Sequence, residues 1–254
     1  MIIDVLTLFP EMFSGALNTS ILARAAENGL LDVRLHDIRG YSSNKHRKAD
    51  DYPFGGGAGM VMTPQPIFDA IRDIAPDGSS PRIYLSPRGK LLSKEIIDSL
   101  APEPGLLLLC GHYEGVDQRA LDHLGFREIS IGDYVLTGGE LAAMVLIDAV
   151  ARMIPGVLGS EDAHAEESIY SGLLEYPQYT RPANFEGLAV PETLTSGNHE
   201  AIRLWNFEQS LRLTKRVRPD LFLAYAEKYF NAAGDPPLSK AERKIFISVL
   251  ESVD

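Results

Sequence analysis

The sequence holds a single cysteine, Cys110, among 254 residues. No internal disulfide can form, which excludes the cystine-built secreted domains and fits a reducing, cytoplasmic setting. No apolar stretch approaches the length that crosses a bilayer. The first residues, Met1-Ile2-Ile3-Asp4, carry no basic segment of the kind that opens a secretory signal. Positive charge is short as well: 24 Lys and Arg face 35 Asp and Glu, a net charge of −11. Phosphate-gripping proteins gain affinity from cations, and neither residues 1–160 nor residues 161–254 are basic. Any RNA-binding surface is therefore a local patch on an acidic protein. Several motifs are missing too. No glycine loop runs into Gly-Lys-Ser/Thr, no Gly-x-Gly-x-x-Gly occurs, and there is no Gly-x-Ser-x-Gly elbow. The six histidines are scattered without metal-ligand spacing.

What is present is a globular composition, 45% hydrophobic, enough to bury a core. The β-rich run from Ile2 to Phe9 predicts a strand, residues 11–28 a helix closed by Asn28-Gly29, and Leu31 to His36 a second strand. Residues 40–59 are polar and then glycine-rich, without a period, and predict a long loop. A helix over 64–75 precedes a regular alternation: strand from Arg82 to Leu85, helix over 91–100, strand from Leu106 to Cys110, helix from Val116 to Leu124, strand from Glu128 to Ile131, helix over 140–153. The run Leu106 to Cys110 is continuously apolar, as a strand covered on both faces is. Such alternation predicts an α/β domain built on a parallel sheet. Three segments after residue 197 read as helices, roughly 198–216, 219–231 and 239–251, the last opening on a Ser239/Glu242 capping box. The expected division is a domain over 1–158, a linker over 159–170, and a mainly helical domain over 171–254.

Three glycine-bearing loops each follow a predicted strand: Ser86-Pro87-Arg88-Gly89, Gly111 to Gly115, and Gly132 to Glu140. Ligands bind outside the carboxyl ends of strands in open parallel sheets, and glycine lets backbone approach a ligand closely. Any one loop is ordinary turn chemistry; three together, two carrying a tyrosine and an acid, point to one pocket. Without a phosphate lysine, that pocket suits a nucleoside lacking phosphates. The segment Lys45 to Met60 sets four cationic or titratable residues beside Asp50 and Asp51, then four glycines within five positions. It reads as a solvated flexible loop or as a cover for a planar base. Arg152 and the acids Glu166 and Glu167 read as surface charges or as site residues. Arg212, Lys215 and Arg216 share one face of a predicted helix, either as a solvated face or as a phosphate patch. Trp205 and Phe207 read as core, and Cys110 as a buried small hydrophobe.

Taken together, the stretches Leu8-Phe9-Pro10-Glu11-Met12-Phe13, Asp50-Asp51 through Gly55-Gly56-Gly57-x-Gly59-Met60, Tyr84-Leu85-Ser86-Pro87-x-Gly89, Cys110-Gly111-x-Tyr113-Glu114-Gly115, Ser130 to Glu140, Ile154 to Gly159, Gly172 to Glu175, Tyr179-Thr180-Arg181-Pro182 and Leu194-x-Ser196-Gly197-x-His199 closely resemble the TrmD family of bacterial tRNA (guanine-N1)-methyltransferases, in the SPOUT superfamily. The resemblance spans nearly the whole chain. It implies a deep trefoil knot in the parallel sheet, a rare exception to unknotted topology, and a homodimer with sites at the subunit interface. It implies S-adenosylmethionine as methyl donor, held at Tyr84, Leu85, Ser86 and Pro87, at Gly111, Tyr113 and Glu114, at Ile131, Gly132, Asp133, Tyr134, Val135 and Leu136, and at Gly138 and Gly139. The substrate it implies is tRNA with guanosine at positions 36 and 37. Gly57, Gly59, Ser168, Arg212, Lys215 and Arg216 are the positions for guanine and tRNA.

Guanine N1 carries a proton and attacks only as that proton leaves, so a carboxylate base is needed. A guanidinium stabilises the negative charge that develops on O6. The resemblance assigns these roles to Glu167 and Arg152. The family usually has aspartate before the serine that here is Ser168, so the base is one methylene longer, and Glu166 is the alternative. Other departures are Phe54 for tyrosine, Ala58 for proline, and Asn206 for arginine. The resemblance also implies help from magnesium through Glu114, although no spacing in the sequence marks a metal site. Two other readings stand beside this one: a SPOUT methyltransferase of ribosomal RNA or of a ribose hydroxyl, and an RNA-binding protein without chemistry.

Overall fold

The computed structural model describes residues 1–75, 78–159, 168–230 and 238–252. The chain divides into two compact units, residues 1–161 and 162–254. The expected linker over 159–170 lies mostly outside the described residues.

The first unit is built on five strands, β1 Ile2–Thr7, β2 Asp32–Asp37, β5 Arg82–Leu91, β6 Gly105–Cys110 and β7 Arg127–Ser130. They stand in the order β2-β1-β6-β5-β7 and are parallel throughout. Alternate side chains leave a strand on opposite faces, and here both faces are covered. Ile3, Val5, Ile83, Leu106 and Leu108 pack with helices α2 (Ser20–Glu27), α4 (Lys94–Leu100) and α6 (Glu140–Ala151). Leu6, Leu8, Tyr84, Leu107 and Leu109 pack with α3 (Pro64–Ile74) and α5 (Gln118–Leu124). The continuous apolar run of β6 is the outcome of that sandwiching. Leu106 through Leu109 are buried, each contributing on the order of 1.5–3 kcal/mol relative to exposure.

Two expectations from the sequence are corrected. Residues 11–28 do not form one helix. Pro10–Phe13 is a 3-10 turn, α1 covers Ser14–Leu17, and α2 begins only at Ser20. Between them Thr19 is extended, and its hydroxyl donates to the Gly15 carbonyl at 2.8 Å. Short polar side chains that bond nearby backbone compete with the helix in this way. The segment 40–59 is also not wholly loop. Its start lies in a 3-10 turn, Ile38–Tyr41, and strand β3, Asp50–Asp51, pairs antiparallel with β4, Val61–Met62. Two-residue strands are too short to show a period.

A further difference concerns β5, which continues to Leu91 rather than ending at Leu85. Both Leu85 and Lys90 stand opposite Ile129, so residues 86–89 bulge out of a single strand. Gly89 then lies flat on β7. A Cβ there would meet the Glu128 carbonyl oxygen at 2.6 Å, with the neighbouring backbone closer still.

In the second unit, β8 Asn184–Phe185 and β9 Leu188–Ala189 form a hairpin, followed by α7 Glu192–Thr195, α8 His199–Val217, α9 Pro219–Phe230 and α10 Lys240–Glu251. Leu173, Leu211, Phe222, Tyr225, Phe246 and Val249 make its core, with Phe207 partly buried against them. The Ser239/Glu242 capping box opens α10 as the sequence predicts.

Candidate active site

The three glycine-bearing segments stand side by side, because β6, β5 and β7 are neighbours in the sheet. They enclose a cavity of about 320 Å³ walled by residues 84–88, 111–116, 129–132 and 134–139 with Ala142. Of the donor positions named from the sequence, Asp133 alone is absent from this wall.

Close backbone approach explains the glycines. A Cβ on Gly111 would lie 2.8 Å from the Tyr84 ring, and one on Gly139 would lie 2.8 Å from the Cys110 Cα. The wall has no lysine, and its one arginine, Arg88, forks onto Glu128 at 2.7 and 3.2 Å and reaches Gln118. Burial, with Glu128 adding to it and Arg88 opposing it, pushes the Tyr84 phenol above its usual range, so at neutral pH it is a neutral hydroxyl. Burial likewise pushes the Cys110 thiol well up; a thiol held protonated is a poor nucleophile. Tyr113 sits at φ +59°. A tyrosine in the left-handed region is strained and persists only where its surroundings over-determine it.

The glycine-rich segment is stitched to the loop after β6. Glu114 N–H donates to Met60 O, Met62 N–H to Gly115 O, and Asp117 N–H to Met62 O. Gly59, at φ +91°, leaves room for the Glu114 side chain, whose Cδ would be 2.9 Å from any Cβ there. Gly57, at φ +124°, has open space beside it. Tyr52 and Phe54 stand exposed in the same segment. Among the described residues no group of three His, Cys, Asp or Glu gathers to hold a metal.

Sequence reasoning missed a buried polar cluster below the cavity. Glu140 opens α6 and is fully buried. Its carboxylate accepts from Thr7 Oγ at 2.6 Å, and its other oxygen is 2.7 Å from His112 Nε2. An acid in the first turn of a helix looks ordinary in a sequence, so nothing there marked it.

The remaining positions divide. Arg152 caps the C-terminal end of α6, whereas the cavity lies at its N-terminal end. The twelve residues of α6 span roughly 18 Å, too far for one side chain to bridge. Glu166 and Glu167 lie outside the described residues. Ser168 accepts from Glu175 N–H at 2.9 Å.

On α8, Arg212 pairs with Glu208 at 2.8 Å and Arg216 is exposed. Lys215 instead donates to the carbonyls of Val249 and Ser252, at 2.7 and 2.6 Å, and so caps the C-terminal end of α10. Cations there satisfy orphan carbonyls and complement the helix dipole. We expect Lys215→Met to lower unfolding free energy by about 1–2 kcal/mol. Urea denaturation measures it, and an unchanged midpoint would return Lys215 to the phosphate-binding set.

Comparison with known proteins follows the same lines as this geometry. Residues 1–224 match the family described as tRNA (Guanine-1)-methyltransferase TrmD. The chain is 59% identical to the tRNA (guanine-N(1)-)-methyltransferase of Alkaliphilus oremlandii, over 87% of this chain and 92% of that protein. It is 59% identical to that of Moorella thermoacetica, over 86% and 89% of the two chains. With that of Alkaliphilus metalliredigens it shares 53%, over 94% and 98%. With these matches covering most of its length, the chain belongs to the TrmD family of tRNA (guanine-1)-methyltransferases.

Proposed function

We propose that this protein transfers a methyl group from S-adenosylmethionine to N1 of guanosine-37 in tRNA that carries guanosine at position 36. The observation that carries the reading is the glycine-walled cavity at the ends of β5, β6 and β7. Its volume falls in the ordinary range for small-ligand sites, about 300–1,000 Å³. Its backbone-lined wall, with no lysine and with Arg88 already paired, fits a nucleoside without phosphates. When bound, the donor supplies an electrophilic methyl on a sulfonium that needs no acid to leave.

The chain's own groups supply the rest. Residues 84–87, 111–114 and 131–139 hold and orient the donor, Asp133 through its backbone position rather than as part of the wall. The glycines at 57 and 59 admit the guanine. The Glu167 carboxylate takes the N1 proton, and the Arg152 guanidinium faces O6 as charge develops there. Arg212 and Arg216 meet tRNA phosphate, while Ser168 fixes the segment that follows the base. Because Arg152 and the cavity lie at opposite ends of α6, one copy does not unite them. That separation supports a homodimer whose sites form between subunits. Leu141 and Val145, one turn apart and exposed on α6, are an apolar face for such contact. The trefoil knot that the family resemblance implies in this parallel sheet belongs to the same reading.

Transcripts with guanosine or adenosine at position 37, incubated with labelled donor, test the reading. Label appears as 1-methylguanosine with guanosine only. A ribose-methylated product, or binding without transfer, overturns it in favour of a ribose methyltransferase or a non-catalytic RNA-binding protein.

A further inference from the structure

Two of the cavity's loops, those after β6 and β7, touch one fully buried acid that itself stays out of the cavity wall. Glu140 is 0% exposed. Its Oε1 accepts from Thr7 Oγ, and Thr7, also 0% exposed, accepts the Phe9 N–H at 2.9 Å. Its Oε2 meets His112 Nε2 at 2.7 Å. With the carboxylate as acceptor, Nε2 is the protonated nitrogen and the imidazole is fixed in orientation. The Phe9 ring packs on it at 4.7 Å between centroids. The Gly138 backbone lies on this pair: a Cβ there would be 2.6 Å from Glu140 Oε2 and closer to the His112 ring. Gly139 N–H donates to Gly111 O at 2.9 Å, and His112 N–H points to Met62 Sδ at 3.3 Å.

A buried carboxylate is costly. Here the start of α6, a hydroxyl and an imidazole offset that cost, yet an apolar side chain would have filled the space with no cost to offset. We propose that Glu140 is a positioning residue, which through Thr7 and His112 sets the shape of the loops after β6 and β7 for the methyl donor. It holds His112, His112 sets the backbone of Gly111 to Gly115 including the strained Tyr113, and Gly138 seats the third loop on the same pair. Through Met60 and Met62 the hold extends to the glycine-rich segment.

The proposal rests on the donor-binding reading above, and the test separates the two. S-adenosylmethionine is titrated into the full-length protein by calorimetry, alongside Glu140→Ala, Glu140→Gln, Thr7→Val and Thr7→Ser, with thermal midpoints recorded. Glu140→Ala weakens donor binding about tenfold or more, the scale of leaving buried partners unsatisfied. Glu140→Gln, whose amide oxygen still accepts from Thr7 and whose amide nitrogen can donate to Nε2 once His112 takes its other neutral tautomer, restores most of it. Thr7→Val, equal in volume, weakens binding several-fold and Thr7→Ser restores it, so the result stands even where Glu140→Ala fails to fold. In steady-state assays the same variants raise KM for the donor more than they lower kcat. Wild-type affinity in Glu140→Ala and Thr7→Val overturns the positioning role, and so does a loss that only tracks the thermal midpoint without rescue. Absence of binding in the unaltered protein overturns the donor reading itself.

Discussion

Glu167→Gln lowers turnover on tRNA by about 10²–10⁴-fold, the usual worth of a general base, and leaves donor affinity unchanged. The amide keeps the shape and size of the carboxylate but takes no proton from guanine N1, so the ring nitrogen stays a poor nucleophile. Donor binding is untouched because the cavity wall comes from residues 84–142. Glu167→Asp places the acid where family members usually carry it and keeps a large part of the rate. Single-turnover measurement at saturating donor reads the chemical step without product release. Full activity in Glu167→Gln removes the role from that residue, and the same experiment on Glu166→Gln then decides whether its neighbour holds it.

Gly89→Ala has the largest expected effect on stability. The new Cβ would sit 2.6 Å from the Glu128 carbonyl oxygen and nearer to the adjoining peptide carbon and the Ile129 nitrogen. All three are backbone atoms of a paired strand, so no side chain can swing away. The strands must part, and overpacking of this kind costs about 3 kcal/mol. In a domain of this size that corresponds to a fall in Tm of roughly 6–12 °C. Donor binding falls as well, since residues 86–88, next to the displaced glycine, line the cavity. Gly15→Ala is the control, because a Cβ there meets nothing within 4 Å. Equal melting of Gly89→Ala and the unaltered protein would mean that the chain does not pass this tightly over β7.

The parts of this architecture that sequence reading reaches are those carried by local pattern. The run from Leu106 to Cys110 announces a doubly covered strand because burial on both faces removes all alternation. The glycines at strand ends announce the cavity because tight backbone packing tolerates no Cβ. The parts it misses depend on distant neighbours. Residues 86–89 look like a terminating turn, and only the register with β7 makes them a bulge. Thr7 and Glu140 are 133 positions apart, so no window along the chain contains their bond. Periodicity places Lys215 beside Arg212, but it carries no information on the end of α10 that occupies Lys215. The motif that names Arg152 likewise says nothing of the helix length separating it from the cavity. The net charge of −11 argues against RNA, and on composition alone that argument would have prevailed.

The pairing of β1 with β6 has a consequence for how the protein is made. Ile2 faces Gly105 and Leu6 faces Leu109, so β1, made before the rest of the sheet, waits for a partner some hundred residues behind it. Until then β1 has only β2, and the apolar edge of Ile3 and Val5 stays uncovered. No hairpin within the sheet offers an early nucleus, since every neighbour is parallel and reached by a crossover. Closing such long loops before any contact rewards it makes folding slow. The nascent chain is therefore exposed to aggregation for longest over the segment that later buries Thr7 against Glu140.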